Sequence, residues 1–380
     1  MKRILFIAPD NMGKRKGGGL AMKAYYNAIC HLWPGMVDSV MPAEYCVNQY
    51  AELIKAPKRN LWQVITGGSM HRYKKFLTNY LKNNKGRYQI CIINGGVYAG
   101  DMMDMIHKCG LKIMVIHHNF EREYHLDNKD LWTLKGHYAG FVVHNEKRAY
   151  KKADINCFLT NDDILLFENE YGKRENNCLL GVFEPDNTSL PEVRIENDEK
   201  IIGITGSMNS LQTQEGIMDL KKNYYHWIEK YLKDWNIIIA GRDPSEKIRN
   251  FAAMNKDRIQ LIPNPEDMSE IISKCRFFLC PTNVGGGLKL RVMDGLRQGL
   301  PVIAHKVSAR GYDPFFDKDF FAVYDDLDSF VDGMKKLTQL DYNIQLKQHI
   351  QEEYNKLFGF EQGTERMKTC VAKIMNDDDK

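Results

Sequence analysis

The feature that most restricts the fold of this chain is a strand–loop–helix–strand unit between residues 276 and 304. An apolar run at 276–281 is typical of a buried strand, and 301–304 is a second strand-like run. The glycines at 285–287 allow a sharp turn with bare backbone. A helix is predicted over 288–299, since glycine commonly ends helices. Units of this kind build parallel sheets.

This unit also offers a binding site for an anion. The ligand would face the free N–H groups of Gly286, Gly287 and Leu288 and the positive end of the helix dipole. On the helix, Asp294 could accept ribose hydroxyls and Arg291 could meet phosphate oxygens. The alternative is a glycine turn before an ordinary amphipathic helix.

The helical periodicity assigns these side chains to faces. The apolar face predicted to pack on the sheet carries Leu288, Val292 and Leu296. A second face carries Arg291, Asp294 and Gln298. Lys289 falls close to the apolar stripe, so it reaches a ligand only if the first helical turn is irregular.

Length and composition favour a soluble protein of two domains. The chain has 380 residues, 43% hydrophobic and 27% charged, with a net charge of +4. That charge is too small and too dispersed to indicate nucleic acid as a partner. Local basic clusters at 14–16 and 55–59 are interpreted as solvated loops, although they could give weak peripheral contact with an anionic membrane surface.

Cysteine usage and the N-terminus favour the cytoplasm. The chain has nine cysteines and no C-x-x-C pair, and Cys91, Cys157 and Cys280 lie in apolar runs. This pattern is typical of reduced thiols in a core. No signal peptide, bilayer-spanning run or zinc-ligand spacing is recognised. We therefore expect a cytoplasmic protein, possible contact with the inner membrane face, and neither metal nor other cofactor.

Strand and helix patterns alternate along both halves of the chain, which predicts an α/β fold with two Rossmann-like domains. The predicted strands are 2–9, 88–94, 112–118, 155–160, 200–205, 235–240, 258–262, 276–281 and 301–304. The predicted helices are 20–32, 71–83, a helix ending near 109, 137–152, 162–171, 216–232, 245–254, 268–274, 288–299, 327–338 and 343–375. Residues 40–70 are difficult to interpret and are left as short strands and loops.

A polar, proline-containing segment at 184–200 is predicted to link the domains. The expected organisation is an N-terminal acceptor domain at 1–185, a nucleotide-sugar donor domain at 186–358, and a last segment at 359–380. Ligands of parallel sheets bind at the carboxyl ends of strands. Both glycine-rich loops, His118 and Arg242 lie at the ends of predicted strands. His117 faces the other way from His118 and is expected to be buried.

The sequence resembles the group 1 glycosyltransferases, which are retaining enzymes of the GT-B fold. The resemblance is carried mainly by Pro281, the three glycines and K-L-R-V-M-D-G-L-R-Q-G-L-P-V-I-A. Weaker similarities follow the chain order: Gly17, Gly18 and Gly19; H-N-F-E from His118; Glu146 to Asp154; and strand ends at Gly206 and Arg242. The resemblance implies two parallel sheets facing across a cleft, with the last helix packed back on the first domain.

Two departures from the family pattern stand out. Asp294 replaces the usual Glu and is one methylene shorter. The loop at 207–215 lacks the Arg and Lys that many members carry there. The diphosphate would then be held by Arg242, Lys289, Arg291 and backbone amides.

The resemblance implies transfer of a sugar from a nucleotide diphosphate sugar to a glycan, polysaccharide or lipid-linked acceptor, with retention and without metal. A role in cell-surface polysaccharide synthesis is expected. Sugar and acceptor would be oriented by His118, Gly18 and Gly19. The donor would be held by Gly206, Gly286, Gly287, Leu288, Lys289 and Asp294. The residues expected to serve catalysis are His118, Arg242 and Arg291. The alternatives are a sugar-nucleotide epimerase on the same scaffold and an inactive nucleotide-sugar-binding partner subunit.

Overall fold

A computed structural model describes residues 3–8, 17–42, 53–56, 71–96, 99–126, 134–193 and 200–375. The chain divides into two compact units. The first unit contains Met1–Asn187 and Phe358–Lys380, and the second contains Thr188–Leu357. Several predictions fall outside the described residues: the basic cluster at 14–16, the loop before Gly17, and residues 43–52 and 57–70 of the region left as short strands and loops.

The first unit is built on a sheet of seven described strands, all parallel. Their spatial order is β3-β2-β1-β4-β5-β6-β7. The strands are β1 Arg3–Ile7, β2 Val37–Pro42, β3 Leu53–Ala56, β4 Tyr88–Asn94, β5 Lys112–His117, β6 Ile155–Phe158 and β7 Asn177–Leu179. The helices are α1 Gly17–Leu32, α2 His71–Asn83, α3 Met103–Lys108, α4 Glu121–Leu126, α5 Leu134–Lys152 and α6 Asn161–Tyr171.

The second unit has a parallel sheet of six described strands in the order β10-β9-β8-β11-β12-β13. The strands are β8 Ile201–Ser207, β9 Asn236–Arg242, β10 Ile259–Pro263, β11 Phe277–Cys280, β12 Val302–His305 and β13 Phe321–Tyr324. The helices are α7 Leu211–Asp219, α8 Tyr225–Tyr231, α9 Glu246–Met254, α10 Met268–Ser273, α11 Leu290–Arg297, α12 Leu327–Thr338 and α13 Ile344–Phe358. A π-helical stretch, Leu220–Tyr224, joins α7 to α8.

The predicted α/β class with two parallel sheets is confirmed. Strands β7 and β13 were not predicted, because runs of three or four residues carry too little periodicity to be recognised. Helix α7 begins five residues earlier than predicted because Ser210 is its N-cap and accepts a hydrogen bond from the Thr213 amide.

The C-terminal helix, α14 Phe360–Met375, packs against α1 within the first unit. Arg366 Nε donates to the Leu180 carbonyl at 2.8 Å. Gly363 lies so close to Phe183 that a Cβ there would come 1.9 Å from the ring. The single helix predicted over 343–375 is therefore two helices, α13 and α14.

Cys91, Cys157 and Cys280 are buried in strands as predicted, and none of the three forms a disulfide. Among the helices that the structure describes, none combines the length and the apolar character that crossing a bilayer requires.

Candidate functional site

The glycine-rich loop leads from β11 into α11. The helix begins at Leu290 and not at Leu288, because Lys289 has an extended conformation (φ −91°, ψ 96°) and serves as the N-cap residue. Leu288 therefore belongs to the loop. Val292 and Leu296 are fully buried, as predicted for the apolar face of the helix.

Gly285 occupies a position where only glycine fits. Its φ of +86° lies in the left-handed region, and a Cβ there would come 2.1 Å from Gln212 Nε2. Gly287, with a φ of +71°, is also left-handed. The sequence therefore uses glycine here for the backbone path as well as for bare N–H groups.

Lys289 supports this loop from within. Its side chain is buried, and Nζ donates to the carbonyls of Gly286 at 2.7 Å and Gly285 at 3.1 Å. The Tyr312 hydroxyl donates to the Lys289 carbonyl at 2.9 Å. The start of the helix is irregular at Lys289, which is the condition given above for this side chain to reach a ligand, and its ammonium group binds loop carbonyls.

The Arg291 guanidinium lies against the backbone of Gly206, at the end of β8. A Cβ on Gly206 would come 2.7 Å from Arg291 Nε. Burial lowers the pKa of Arg291, although the nearby Asp294 carboxylate acts in the opposite direction. Within the described ranges of the chain, Arg291 forms neither a hydrogen bond nor an ion pair. A largely desolvated cation that forms no hydrogen bond or ion pair is unfavourable, so this position is suited to an anion.

Strand ends bring two further predicted residues to the same edge of this sheet. Gly206 pairs with Gly241, and Ser207 pairs with Arg242, in the parallel register of β8 and β9. The Arg242 side chain is exposed. The backbone carbonyl of Arg242 accepts a hydrogen bond from the Met208 amide at 2.8 Å. The edge therefore carries Arg242 and Arg291 together with the bare backbone of Gly206.

Asp294 is exposed on α11, one turn after Arg291. Gln298, predicted on the same face, is buried just beyond the helix. The prediction that Gln298 shares a helical face with Arg291 and Asp294 is therefore wrong, because the helix ends at Arg297.

In the first unit, His118 follows β5 and its Nε2 lies 2.9 Å from Oδ1 of Asn94, the last residue of β4. Burial lowers the pKa of His118 to about 4, against the opposing Glu121 carboxylate. Its neighbour His117 is buried, as predicted, and stacks on Phe158 with ring centroids 5.0 Å apart.

The glycines near the N-terminus differ from their prediction. Gly17, Gly18 and Gly19 form the first turn of α1, where a loop was expected. The first amide groups of a helix lack partners within the helix, so this turn still offers N–H donors.

Glu146 lies in α5 and is buried. Its carboxyl group accepts hydrogen bonds from the Glu121 amide at 2.7 Å and the Tyr171 hydroxyl at 2.8 Å. Burial raises its pKa to about 8. Glu146 therefore caps the start of α4.

Sequence reasoning missed Gln212 and Asn94. The signal for Asn94 was a polar residue at the carboxyl end of an apolar strand, directly before two glycines. Gln212 carried no local signal. In the part of the chain that the structure describes, no three His, Cys, Asp or Glu side chains are grouped to hold a metal ion.

Residues 199–339, most of the second unit, match the family model described as glycosyl transferases group 1. This match covers the glycine loop, Arg242, Arg291 and Asp294. No curated protein matches the chain.

Several solved structures resemble the whole chain. HepE from Anabaena in complex with UDP has a TM-score of 0.67 and 9% identity, over 97% of this chain and 99% of that chain. The lipopolysaccharide outer core galactosyltransferase WaaB has a TM-score of 0.69 and 11% identity over the same shares. WaaG, a glycosyltransferase involved in lipopolysaccharide biosynthesis, has a TM-score of 0.65 and 15% identity, also over 97% and 99%.

The fold is therefore that of the GT-B glycosyltransferases, which these similarities show. The match to the group 1 family model is confined to residues 199–339, whereas the similarity of fold extends over almost the whole chain.

Proposed function

We propose that this protein transfers a sugar from a nucleotide diphosphate sugar to an acceptor hydroxyl. The observation that carries the proposal is the Arg291 guanidinium, largely desolvated against Gly206 and without a hydrogen bond or ion pair among the described residues. A diphosphate would supply the missing negative charge through two parallel hydrogen bonds.

The reaction needs stabilisation of the charge that develops on the leaving diphosphate. Arg291 and Arg242 are the cations we assign to this task, aided by N–H groups of the glycine loop and the start of α11. Lys289 acts indirectly, because its ammonium group holds the carbonyls of Gly285 and Gly286 and so fixes the loop.

Asp294 would bind the ribose through its exposed carboxylate. His118 would meet the donor sugar, and the first turn of α1 with Gly18 and Gly19 would contribute N–H groups near sugar or acceptor. We infer retention by front-face attack, with the leaving phosphate taking the acceptor proton and without a metal.

UDP is the first nucleotide to test, since the similar HepE structures contain UDP, UDP and glucose, and UDP-glucose. WaaB and WaaG are named for lipopolysaccharide synthesis. We propose by analogy a glycan or lipid-linked acceptor in cell-surface polysaccharide synthesis, reached from the cytoplasm at the inner membrane face.

The test begins with thermal shifts induced by UDP, GDP, ADP and their sugars, since a ligand that binds the folded state raises the melting temperature. Arg291→Ala and Arg242→Ala should each lower kcat/KM for the donor. The expected decrease corresponds to a loss of roughly 2–4 kcal/mol of transition-state stabilisation. Arg297→Ala is the matched control, because it removes the same charge from the end of the same helix.

The outcomes separate the proposal from its alternatives. Full activity in both arginine variants would exclude the assigned role of these cations. Nucleotide binding without transfer or hydrolysis would indicate an inactive binding subunit. Conversion of one nucleotide sugar into another without acceptor would indicate an epimerase.

A further inference from the structure

Two adjacent histidines at the carboxyl end of β5 are each held by an asparagine of a neighbouring strand. His118 Nε2 lies 2.9 Å from Asn94 Oδ1, at the end of β4. His117 Nε2 lies 2.9 Å from Asn156 Oδ1, in β6. Strands β4 and β6 flank β5 on opposite sides. The two pairs have the same chemistry in different surroundings.

The His117 pair is closed to ligands. Its ring is 2% exposed and lies between Phe158 and Phe167, with centroid distances of 5.0 and 4.7 Å. A Cβ on Gly96 would come 2.3 Å from His117 Nδ1, so the second nitrogen faces backbone. His118, by contrast, is only half-buried and retains exposed surface.

Packing alone does not account for an asparagine at position 94. Its Nδ2 is buried, and among the described residues it has no hydrogen-bond partner. A buried donor without an acceptor is unfavourable, and an apolar side chain of similar shape would avoid the penalty. The contact with His118 is the interaction that a leucine could not provide.

We propose that Asn94 is a positioning residue that holds His118 in the Nε2–H tautomer, so that Nδ1 accepts a hydrogen bond from a hydroxyl group of the donor sugar. An amide oxygen only accepts, so the Nε2 facing it carries the proton. The lone pair then remains on Nδ1. It repels a phosphate oxygen and attracts a hydroxyl hydrogen, which assigns His118 to the sugar and not to the diphosphate.

This inference rests on the proposed function and needs a neutral ring. Burial holds the pKa of His118 at about 4. The charged group that faces it is the Glu121 carboxylate, which acts against burial. The Tyr25 ring packs edge-on at 6.0 Å, with its hydroxyl donated to the Gly181 carbonyl. The imidazole is therefore neutral at pH 7.

The first test measures the tautomer in the wild-type protein, and a variant is needed only to assign the His118 signals. Protein labelled with ¹⁵N-histidine is examined by long-range ¹H–¹⁵N correlation at pH 7, and the His118 signals are assigned by their loss in His118→Gln. We expect a protonated Nε2 and an unprotonated Nδ1. A proton on Nδ1 of the wild-type protein would overturn the proposal.

Matched variants then test Asn94 itself. Asn94→Leu should release His118 into a mixture of tautomers and leave the His117 signals in place, whereas Asn156→Leu should do the reverse. Circular dichroism confirms folding. If Asn94→Leu does not fold, Asn94→Asp keeps the acceptor and should raise the His118 titration well above pH 4. An unchanged His118 titration would exclude Asn94 as its partner.

Kinetics separate this inference from the proposed function. With UDP-glucose, Asn94→Leu should lower kcat for donor hydrolysis by about 10-fold or more and change UDP affinity by less than about twofold. Full activity of Asn94→Leu would overturn the positioning role. A wild-type protein that neither binds nor hydrolyses any nucleotide sugar would overturn the proposed function and the sugar contact, while the tautomer measurement would still stand.

Discussion

At the scale of single residues, the two cations after the glycine loop show that charge alone does not identify a ligand contact. Lys289 and Arg291 are two positions apart. The Lys289 ammonium group is buried and donates to two loop carbonyls. The Arg291 guanidinium is desolvated without a hydrogen bond among the described residues. The sequence suggests both as phosphate contacts, and the contacts made by their side chains within the protein differ: the ammonium group of Lys289 is hydrogen-bonded to the loop, whereas the guanidinium of Arg291 is not.

Glu146 gives a prediction for the dependence of stability on pH. Burial raises its pKa from 4.5 to about 8. Between these pH values the unfolded chain has lost a proton that the folded chain keeps. The contribution of Glu146 to the free energy of unfolding therefore falls as the pH rises from 4.5 to about 8 and is constant above that.

Glu146→Gln, a neutral residue of equal size, should remove this slope. Relative to wild type, the variant should gain up to about 1.4 kcal/mol per pH unit across that window. Urea denaturation of both proteins at pH 5, 6, 7 and 8 measures the difference. Parallel stability curves would mean that Glu146 is ionised in the folded protein throughout.

At the scale of elements, neighbours decide where helices begin and which glycines they tolerate. Helix α11 begins two residues later than its pattern predicts, because Lys289 keeps an extended conformation while its side chain reaches back to the loop. Helix α1 includes three glycines that the sequence assigns to a loop. Glycine in a helix interior is about 1 kcal/mol per residue less favourable than alanine, a preference that the rest of a fold can outweigh.

Two glycines inside helices provide a matched pair for this effect. Nothing lies within 4 Å of a Cβ placed on Gly140 in α5, whereas a Cβ on Gly363 in α14 would come 1.9 Å from the Phe183 ring. Gly140→Ala should raise the free energy of unfolding by about 0.5–1 kcal/mol. Gly363→Ala should lower it by about 1–3 kcal/mol.

Chemical denaturation of the two variants measures both values. The change in helix propensity is the same in each, so the difference between them isolates packing. Equal stabilisation by both substitutions would show that α14 moves away from Phe183 without penalty.

At the scale of the whole molecule, the candidate residues are distributed over two compact units. His118, Gly18 and Gly19 belong to the first, and Arg242, Arg291 and Asp294 to the second. The first unit is completed by chain from both ends, because α14 packs on α1. Under the proposed function, nucleotide affinity should depend on the second unit and turnover should depend on His118 as well.

The division of labour is tested by two alanine variants. Asp294→Ala should weaken UDP binding with little change in stability, because the side chain is exposed. His118→Ala should reduce turnover strongly and leave affinity for bare UDP nearly intact. Calorimetry measures nucleotide affinity, and released nucleotide reports donor hydrolysis. Asp294→Glu serves as the control that keeps the carboxylate. Equal loss of UDP affinity in both alanine variants would contradict the division.

The sequence by itself determined the fold class, the order of most strands and helices, and the glycine loop before α11. These features rest on local signals: apolar runs, helical periodicity and glycine positions are contained in a few neighbouring residues. The same local signals predicted that His117 and the strand cysteines would be buried.

Only the tertiary structure decided what the polar side chains do. The pairing of His118 with Asn94 joins residues 24 positions apart, and the approach of Arg291 to Gly206 joins the ends of separate elements. Strands β7 and β13 likewise exist because a neighbouring strand offers them hydrogen bonds. Such contacts depend on which distant segments meet, and no short stretch of sequence contains that information.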